Sequence, residues 1–247
     1  MRTATTEERM FVVSDLHLGN PGSTARSRLV GFLDHALKQR ASLCINGDGF
    51  DLAQTSFPRL AGDTLPVMAG LRRLLNADLR VYYVVGNHDM VLEHFLSDLV
   101  FSHISPFLNV RSGDRRIRVE HGHIYDPWFS RAPASYQLAT RLAGYLLVAV
   151  PDIYRVWDRV GGTVERWSEQ RGTRRRSAGP AIGTRYHRAA NDLLLRGFDT
   201  VIFGHTHTAE TLHMPSGTYI NAGNWLQGNT YVDINNGTAR LCAWLSP

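Results

Sequence analysis

Val84-Val85-Gly86-Asn87-His88-Asp89 is a hydrophobic run that breaks at a glycine and then presents an amide, an imidazole and a carboxylate. The β-branched and aromatic residues from Arg80 to Val85 predict a buried strand, which puts the polar triplet on the loop leaving its C-terminal end. Open α/β sheets carry their chemistry at that end. Asn, His and Asp also build ordinary turns, so the tetrapeptide gains meaning from repetition. Four other runs of this chain end in the same way.

Toward the N-terminus, Met10 to Ser14 delivers Asp15-Leu16-His17-Leu18. Side chains at i and i+2 of a strand end point to one face, so Asp15 and His17 can reach one cation together. Ser42 to Asn46 ends in Gly47-Asp48-Gly49-Phe50-Asp51, where small residues let the backbone approach closely and Asp48 can touch two cations. Asp51 is expected behind the ligands, orienting them or capping the next turn. Downstream, Arg116 to Glu120 terminates in His121-Gly122-His123, and Thr200 to Phe203 in Gly204-His205-Thr206-His207. A single histidine is ordinarily a hydrogen-bonded core or surface residue. Here six of the eleven histidines fall in four strand-end motifs, and that explanation does not cover the clustering.

Between the runs, Leu29, Val30, Leu33, Ala36 and Leu37 have helical spacing, with Ser23 or Thr24 as a cap. Val67, Met68, Leu71, Leu74 and Leu75 mark a second helix, and Tyr186, Ala190, Leu193 and Leu194 a third, closed by Gly197. Strands alternating with helices predict an α/β layered domain. With 247 residues and 43% hydrophobic content, one core suffices. Cys44 and Cys242 form no paired pattern, which argues against a disulfide framework or zinc ribbon and for a reducing, cytoplasmic setting. Met1 to Met10 has no apolar signal-like core, and Tyr145 to Val150 is too short to span a bilayer, so a soluble or peripheral protein is expected. A net charge of +5 fits an anionic partner.

The ordered set Asp15-x-His17, Gly47-Asp48-x-x-Asp51, Gly86-Asn87-His88-Asp89, His121-Gly122-His123 and Gly204-His205-x-His207 resembles the calcineurin-like metallophosphoesterase superfamily. The resemblance implies a four-layer α-β-β-α sandwich with a dinuclear metal centre at the strand ends. It places Asp15, His17, Asp48 and His207 on a first metal and Asn87, His121 and His205 on a second, with Asp48 bridging. His123 would stand behind them, or exchange roles with His121. Two divalent cations about 3.5–4 Å apart can acidify a shared water, hold a phosphoryl oxygen and neutralise charge in an in-line displacement. Carboxylate, imidazole and amide ligands without thiolate favour Mn²⁺, Fe or Zn²⁺, with Mn²⁺ preferred. His88 is expected to stabilise or protonate the leaving oxygen, with Asp89 orienting its imidazole.

From Asp126 to Pro180 the chain changes character. Tyr136, Ala139, Leu142, Ala143 and Leu146 have helical spacing, as do Ile153, Trp157, Val160, Val164 and Trp167, and the cluster Arg174-Arg175-Arg176 follows. This predicts a helical insertion at 126–180, either a surface hairpin or a lid that accepts acyl chains or a membrane surface while its arginines meet phosphates. After the last histidines come short strands with turns at Pro215-Ser216-Gly217 and Asn235-Asn236-Gly237. Gly217 to Trp225, followed by Thr230-Tyr231, is similar to a segment of the UDP-2,3-diacylglucosamine pyrophosphatases. Position 88 is histidine where that branch commonly has arginine, and His123 and Asn224 replace aspartates. The resemblance implies hydrolysis of a lipid-linked nucleotide diphosphate, releasing UMP and a lipid monophosphate. The alternatives are a phosphoesterase for a phosphomonoester, cyclic nucleotide or nucleic acid, and a non-catalytic scaffold. No specific protein partner is implied, and no Rossmann fingerprint, P-loop or nucleophile elbow occurs.

Overall fold

The computed structural model describes residues 4–20, 23, 25–51, 57–89, 101–132, 135, 182–226 and 228–245. The expected helices between Tyr136 and Trp167, and Arg174, Arg175 and Arg176, lie outside the described residues.

The strands are β1 (Ala4–Thr6), β2 (Arg9–Val13), β3 (Ser42–Asn46), β4 (Val81–Val84), β5 (His103–Ser105), β6 (Phe107–Ser112), β7 (Arg115–Glu120), β8 (Thr200–Phe203), β9 (Glu210–Met214), β10 (Gly217–Asn221), β11 (Thr230–Asn235) and β12 (Thr238–Ala243). They form two six-stranded sheets, ordered β1-β6-β7-β8-β10-β9 and β12-β11-β2-β3-β4-β5. Among the described residues the helices are α1 (Ala25–Lys38), α2 (Phe57–Asn76), the short α3 (Pro127–Arg131) and α4 (Ile182–Leu195), with a 3-10 turn at His123–Tyr125.

Three apolar clusters separate four layers. Phe11, Val13, Leu43 and Ile45 pack against Leu29, Phe32 and Leu33 of α1 and Val67, Leu71 and Leu74 of α2. Met10, Val12 and Cys44 face the other way, onto Val110, Ile117, Val119 and Ile202 of the second sheet. On that sheet's far face, Val201, Phe203 and Tyr219 receive Tyr186, Ala190, Leu193 and Leu194 of α4. The unbroken apolar run of β2 thus follows from burial on both faces, with successive residues entering different cores. The result is the four-layer α-β-β-α sandwich.

Local chemistry sets the element ends. The Ser23 hydroxyl accepts from Ala25 N (3.2 Å) at the start of α1. Gly197, at φ 92°, donates to Leu194 O and closes α4 as expected. Asn236 and Gly237 adopt φ 45° and 82°, the left-handed pair of a two-residue hairpin turn between β11 and β12. β2, β3 and β4 run parallel, as do β7 and β8, so the loops within each set leave by one sheet edge. β1, β5 and β6 are additions that the sequence reading did not identify.

Candidate metal centre

The loops after β2, β3, β4, β7 and β8 meet at one place. Asp15 Oδ1 lies 3.1 Å from His207 Nε2, and Asp48 Oδ2 lies 3.3 Å from His121 Nε2. Ligand atoms of Asp15, His17 and His207 stand within 4.8 Å of one another, as do those of Asp48, His121 and His205. A third trio, His17, Asp48 and His88, joins the two. Asn87 is buried on the β4 loop.

The backbone achieves this in a way that strand alternation does not predict. β2 stops at Val13, and Asp15 and His17 lie beyond it at φ 54° and 47°. Asp48, His205 and His207 are also left-handed, at 50°, 65° and 58°. Such conformations cost L-residues energy and persist where the surroundings over-determine them. Here the surroundings are main-chain bonds: Asp15 N donates to Gly47 O, His17 N to Asp48 O and Leu18 N to Gly49 O, which carries the β2–β3 pairing into the loops. Trp225, fully buried, donates its backbone N–H to Asp15 O (3.1 Å), and Asn224 Nδ2 donates to His207 O (2.8 Å). Gly86 is required by close approach, because a methyl there would run into Asp48 Oδ1 and its backbone N.

Asp51 reaches two imidazoles. Its Oδ1 is hydrogen-bonded to His17 Nδ1 (2.8 Å) and lies 3.1 Å from His88 Nδ1 without hydrogen-bond alignment, while Oδ2 accepts from Asn20 Nδ2 (3.1 Å). This corrects the expectation for Asp89, which does not hold His88. Asp89 instead accepts from Gly86 N (2.7 Å), Gly49 N (2.8 Å) and the Tyr83 hydroxyl, and its buried carboxylate is saturated there. Of the two histidines on the β7 loop, His121 joins Asp48 and His205. His123 lies behind, its ring 4.8 Å from that of Phe129.

Sequence reasoning missed three contributors. Tyr83 was read only as strand interior. Ser14 Oγ lies 2.5 Å from Asp15 Oδ2 and 2.6 Å from Asn46 O, tying the two loops together. Asp126 caps α3 through Oδ1, accepting from Trp128 N (2.8 Å), and places Oδ2 3.4 Å from His205 Nε2. No local signal marked Asp126, since only the tertiary fold brings it to His205.

Electrostatics follow from packing acids against imidazoles away from water. Burial alone would lower His17, but the Asp51, Asp48 and Asp15 carboxylates override it and raise it to about 10. His121 rises to about 9, burial again being outweighed by Asp48 and Asp15. Burial would raise Asp15, yet His121 and His207 pull it down to about 2. His123 falls to about 3 through burial and the adjacent His121 charge.

A pair of divalent cations fits these residues. Asp15 Oδ1 and His121 Nε2 are buried atoms that make no aligned hydrogen bond among the described residues and face their ion-pair partners in the cluster, His207 and Asp48. The donors are oxygen and nitrogen, with no thiolate, as Mn²⁺, Fe and Zn²⁺ accept.

Two sheets form a sandwich whose loops converge on carboxylates and imidazoles that could hold metal ions. The calcineurin-like phosphoesterase family model matches residues 9–209, and the chain belongs to that family. The UDP-2,3-diacylglucosamine hydrolases of Bordetella parapertussis and Bordetella bronchiseptica are each 24% identical over 208 residues, covering 80% of this chain and 76% of theirs. An archaeal phosphodiesterase structure aligns over 96% of this chain and 99% of its own at 13% identity, with a TM-score of 0.50, a likeness of fold.

Proposed function

We propose that the protein is a divalent-metal-dependent phosphoesterase that cleaves the diphosphate of a UDP-linked, diacylated sugar, releasing UMP and a lipid monophosphate. The observation that supports the hydrolase reading is the pair of trios, Asp15, His17, His207 and Asp48, His121, His205, each with its ligand atoms within 4.8 Å of one another. The substrate class rests on similarity to the Bordetella hydrolases along most of both chains.

In this reading Asp15, His17, Asp48 and His207 would hold one cation and Asn87, His121 and His205 the other, with Asp48 serving both. When bound, the cations supply Lewis acidity toward a water and the phosphoryl oxygens. The protein's own groups do the rest. Asp51 fixes the His17 ring through Nδ1, leaving Nε2 for the centre. His88, raised in pKa against burial by the Asp48 carboxylate, is available as an imidazolium to protonate or stabilise the departing oxygen. Arg174, Arg175 and Arg176 are assigned to the anionic part of the substrate, and the apolar positions Leu142, Leu146 and Trp157 to its acyl chains. Contact with the inner face of a membrane follows from such a substrate. No helix among the described residues is long and apolar enough to cross one.

A second reading, a phosphoesterase for a different phosphate ester, is favoured by histidine at position 88, where a shorter side chain than arginine leaves less reach for a diphosphate. Steady-state kinetics with Mn²⁺ on a diacylated UDP-sugar and on a small aryl phosphodiester separate the two. Release of UMP and lipid monophosphate is the expected result. Cleavage of the aryl ester alone would favour the second reading, and no cleavage of either would sink both.

A further inference from the structure

Tyr83 and Asp89 are completely buried and have no part in the reaction as described above. The Tyr83 hydroxyl donates to Asp89 Oδ2, and the same oxygen accepts from Gly49 N at 2.8 Å. Gly49 N also lies 3.0 Å from the Tyr83 oxygen, so one N–H is shared by two acceptors. The other carboxylate oxygen, Asp89 Oδ1, accepts from Gly86 N at 2.7 Å. The two amides belong to different loops. Gly49 directly follows Asp48, and Gly86 directly precedes Asn87.

One carboxylate therefore ties the loop after β3 to the loop after β4. The loop it ties at Gly49 is strained, because Asp48 sits at φ 50°. A second bond between the loops runs from His88 N to Asp48 Oδ1 (2.9 Å) and aims the carboxylate. The Tyr83 ring has little freedom to release its hydroxyl: it stacks on Phe50 at 5.8 Å and meets Phe101 edge-on at 4.9 Å. A methyl on Gly49 would collide with the Tyr83 hydroxyl, so the loop is seated directly on it. From Asp48 and Gly49 the constraint passes to the loop after β2, through His17 N to Asp48 O (2.9 Å) and Leu18 N to Gly49 O (3.0 Å).

We propose that Tyr83 and Asp89 form a clamp that sets metal affinity, holding the Gly49 and Gly86 loops at one spacing so that the Asp48 carboxylate stands between the two cation positions. The inference rests on the reading of Asp48 as the shared ligand. Both are positioning residues, acting on the cations only through backbone amides and Asp48. Partners behind metal ligands typically contribute about 10- to 100-fold in metal affinity.

The test is Mn²⁺ titration by calorimetry of wild type, Tyr83→Phe and Asp89→Asn, with amide hydrogen exchange of Gly49 and Gly86 followed by NMR. Tyr83→Phe keeps the ring and its packing. It is expected to bind Mn²⁺ about 10-fold more weakly, to exchange the Gly49 amide faster, and to recover wild-type kcat at saturating Mn²⁺ with KM unchanged. Asp89→Asn can no longer accept both amides, and its expected loss is larger, toward about 100-fold. A role confined to core stability would lower the unfolding temperature without this metal-dependent rescue. Folded variants with wild-type Mn²⁺ affinity would overturn the clamp alone. A wild type that takes up no Mn²⁺ would overturn the reading of the site, and the clamp with it.

Discussion

The loops directly after β2 and β3 supply both carboxylates of the two ligand trios, whereas those after β7 and β8 supply only imidazoles. The first set is built from main-chain pairing, Asp15 to Gly47 and His17 to Asp48, and stands on the buried Asp89. The second reaches the first mainly through ring nitrogens, His121 to Asp48 and His207 to Asp15. The Asp15 trio and the trio of Asp48, His121 and His205 each draw on both sheets, whereas the third, His17, Asp48 and His88, comes from the loops of one. Orientation across the junction also decides charge. His121, aimed at Asp48, is raised to about 9, while His123, two positions on and turned to Phe129, is lowered to about 3.

Removing Asp48, which stands in two of the three trios and is proposed to serve both cations, breaks this arrangement most severely. Asp48→Ala should abolish phosphodiester hydrolysis and lower Mn²⁺ content at both positions while the circular dichroism spectrum survives. Two tightly held ions per chain in that variant would refute the shared role.

His88 sharpens the division between holding metal and moving protons. In His88→Ala both ions should remain and kcat should fall roughly 10²-fold, with part of the rate restored by a substrate carrying a better leaving group. Loss of one ion would instead make His88 a ligand, as its place in the third trio allows.

On the other sheet the contrast is between two neighbours. His121→Ala should lose one Mn²⁺ per chain, whereas His123→Ala should keep both, with affinity lowered by no more than about 10-fold. The opposite pattern in measured metal content would exchange their roles.

The smallest expected effect is protonic. In the metal-free protein His17 and His121, at about 10 and 9, are protonated at pH 7 because carboxylates outweigh the cost of burying the charge. An imidazole binds a cation only as the neutral base, so Mn²⁺ uptake should release protons and tighten as pH rises toward those values. Titration at pH 7 in buffers of different ionisation enthalpy measures the release. Its absence would mean that both rings are neutral beforehand.

The five motif blocks, the strands that deliver them and the helices α1, α2 and α4 were all legible, because each rests on local periodicity broken by a glycine or a polar cluster. β6 was not read, although Leu108 and Val110 alternate toward the core before a turn at Gly113. β1 and β5 are three residues each, too short for a period to show.

What the sequence alone determined was the inventory: which carboxylates and imidazoles stand at strand ends, and hence the family and the chemistry they permit. Which of them touch was decided by the tertiary structure. Asp89 turned from His88 to the Gly49 and Gly86 amides, Asp51 took its place beside that ring, and Asp126 arrived at His205 from 79 residues away. The physical reason is that a strand pattern fixes only the side to which a residue is delivered. Beyond the strand, left-handed turns and hydrogen bonds from other loops aim the side chain, and those partners are distant in the chain.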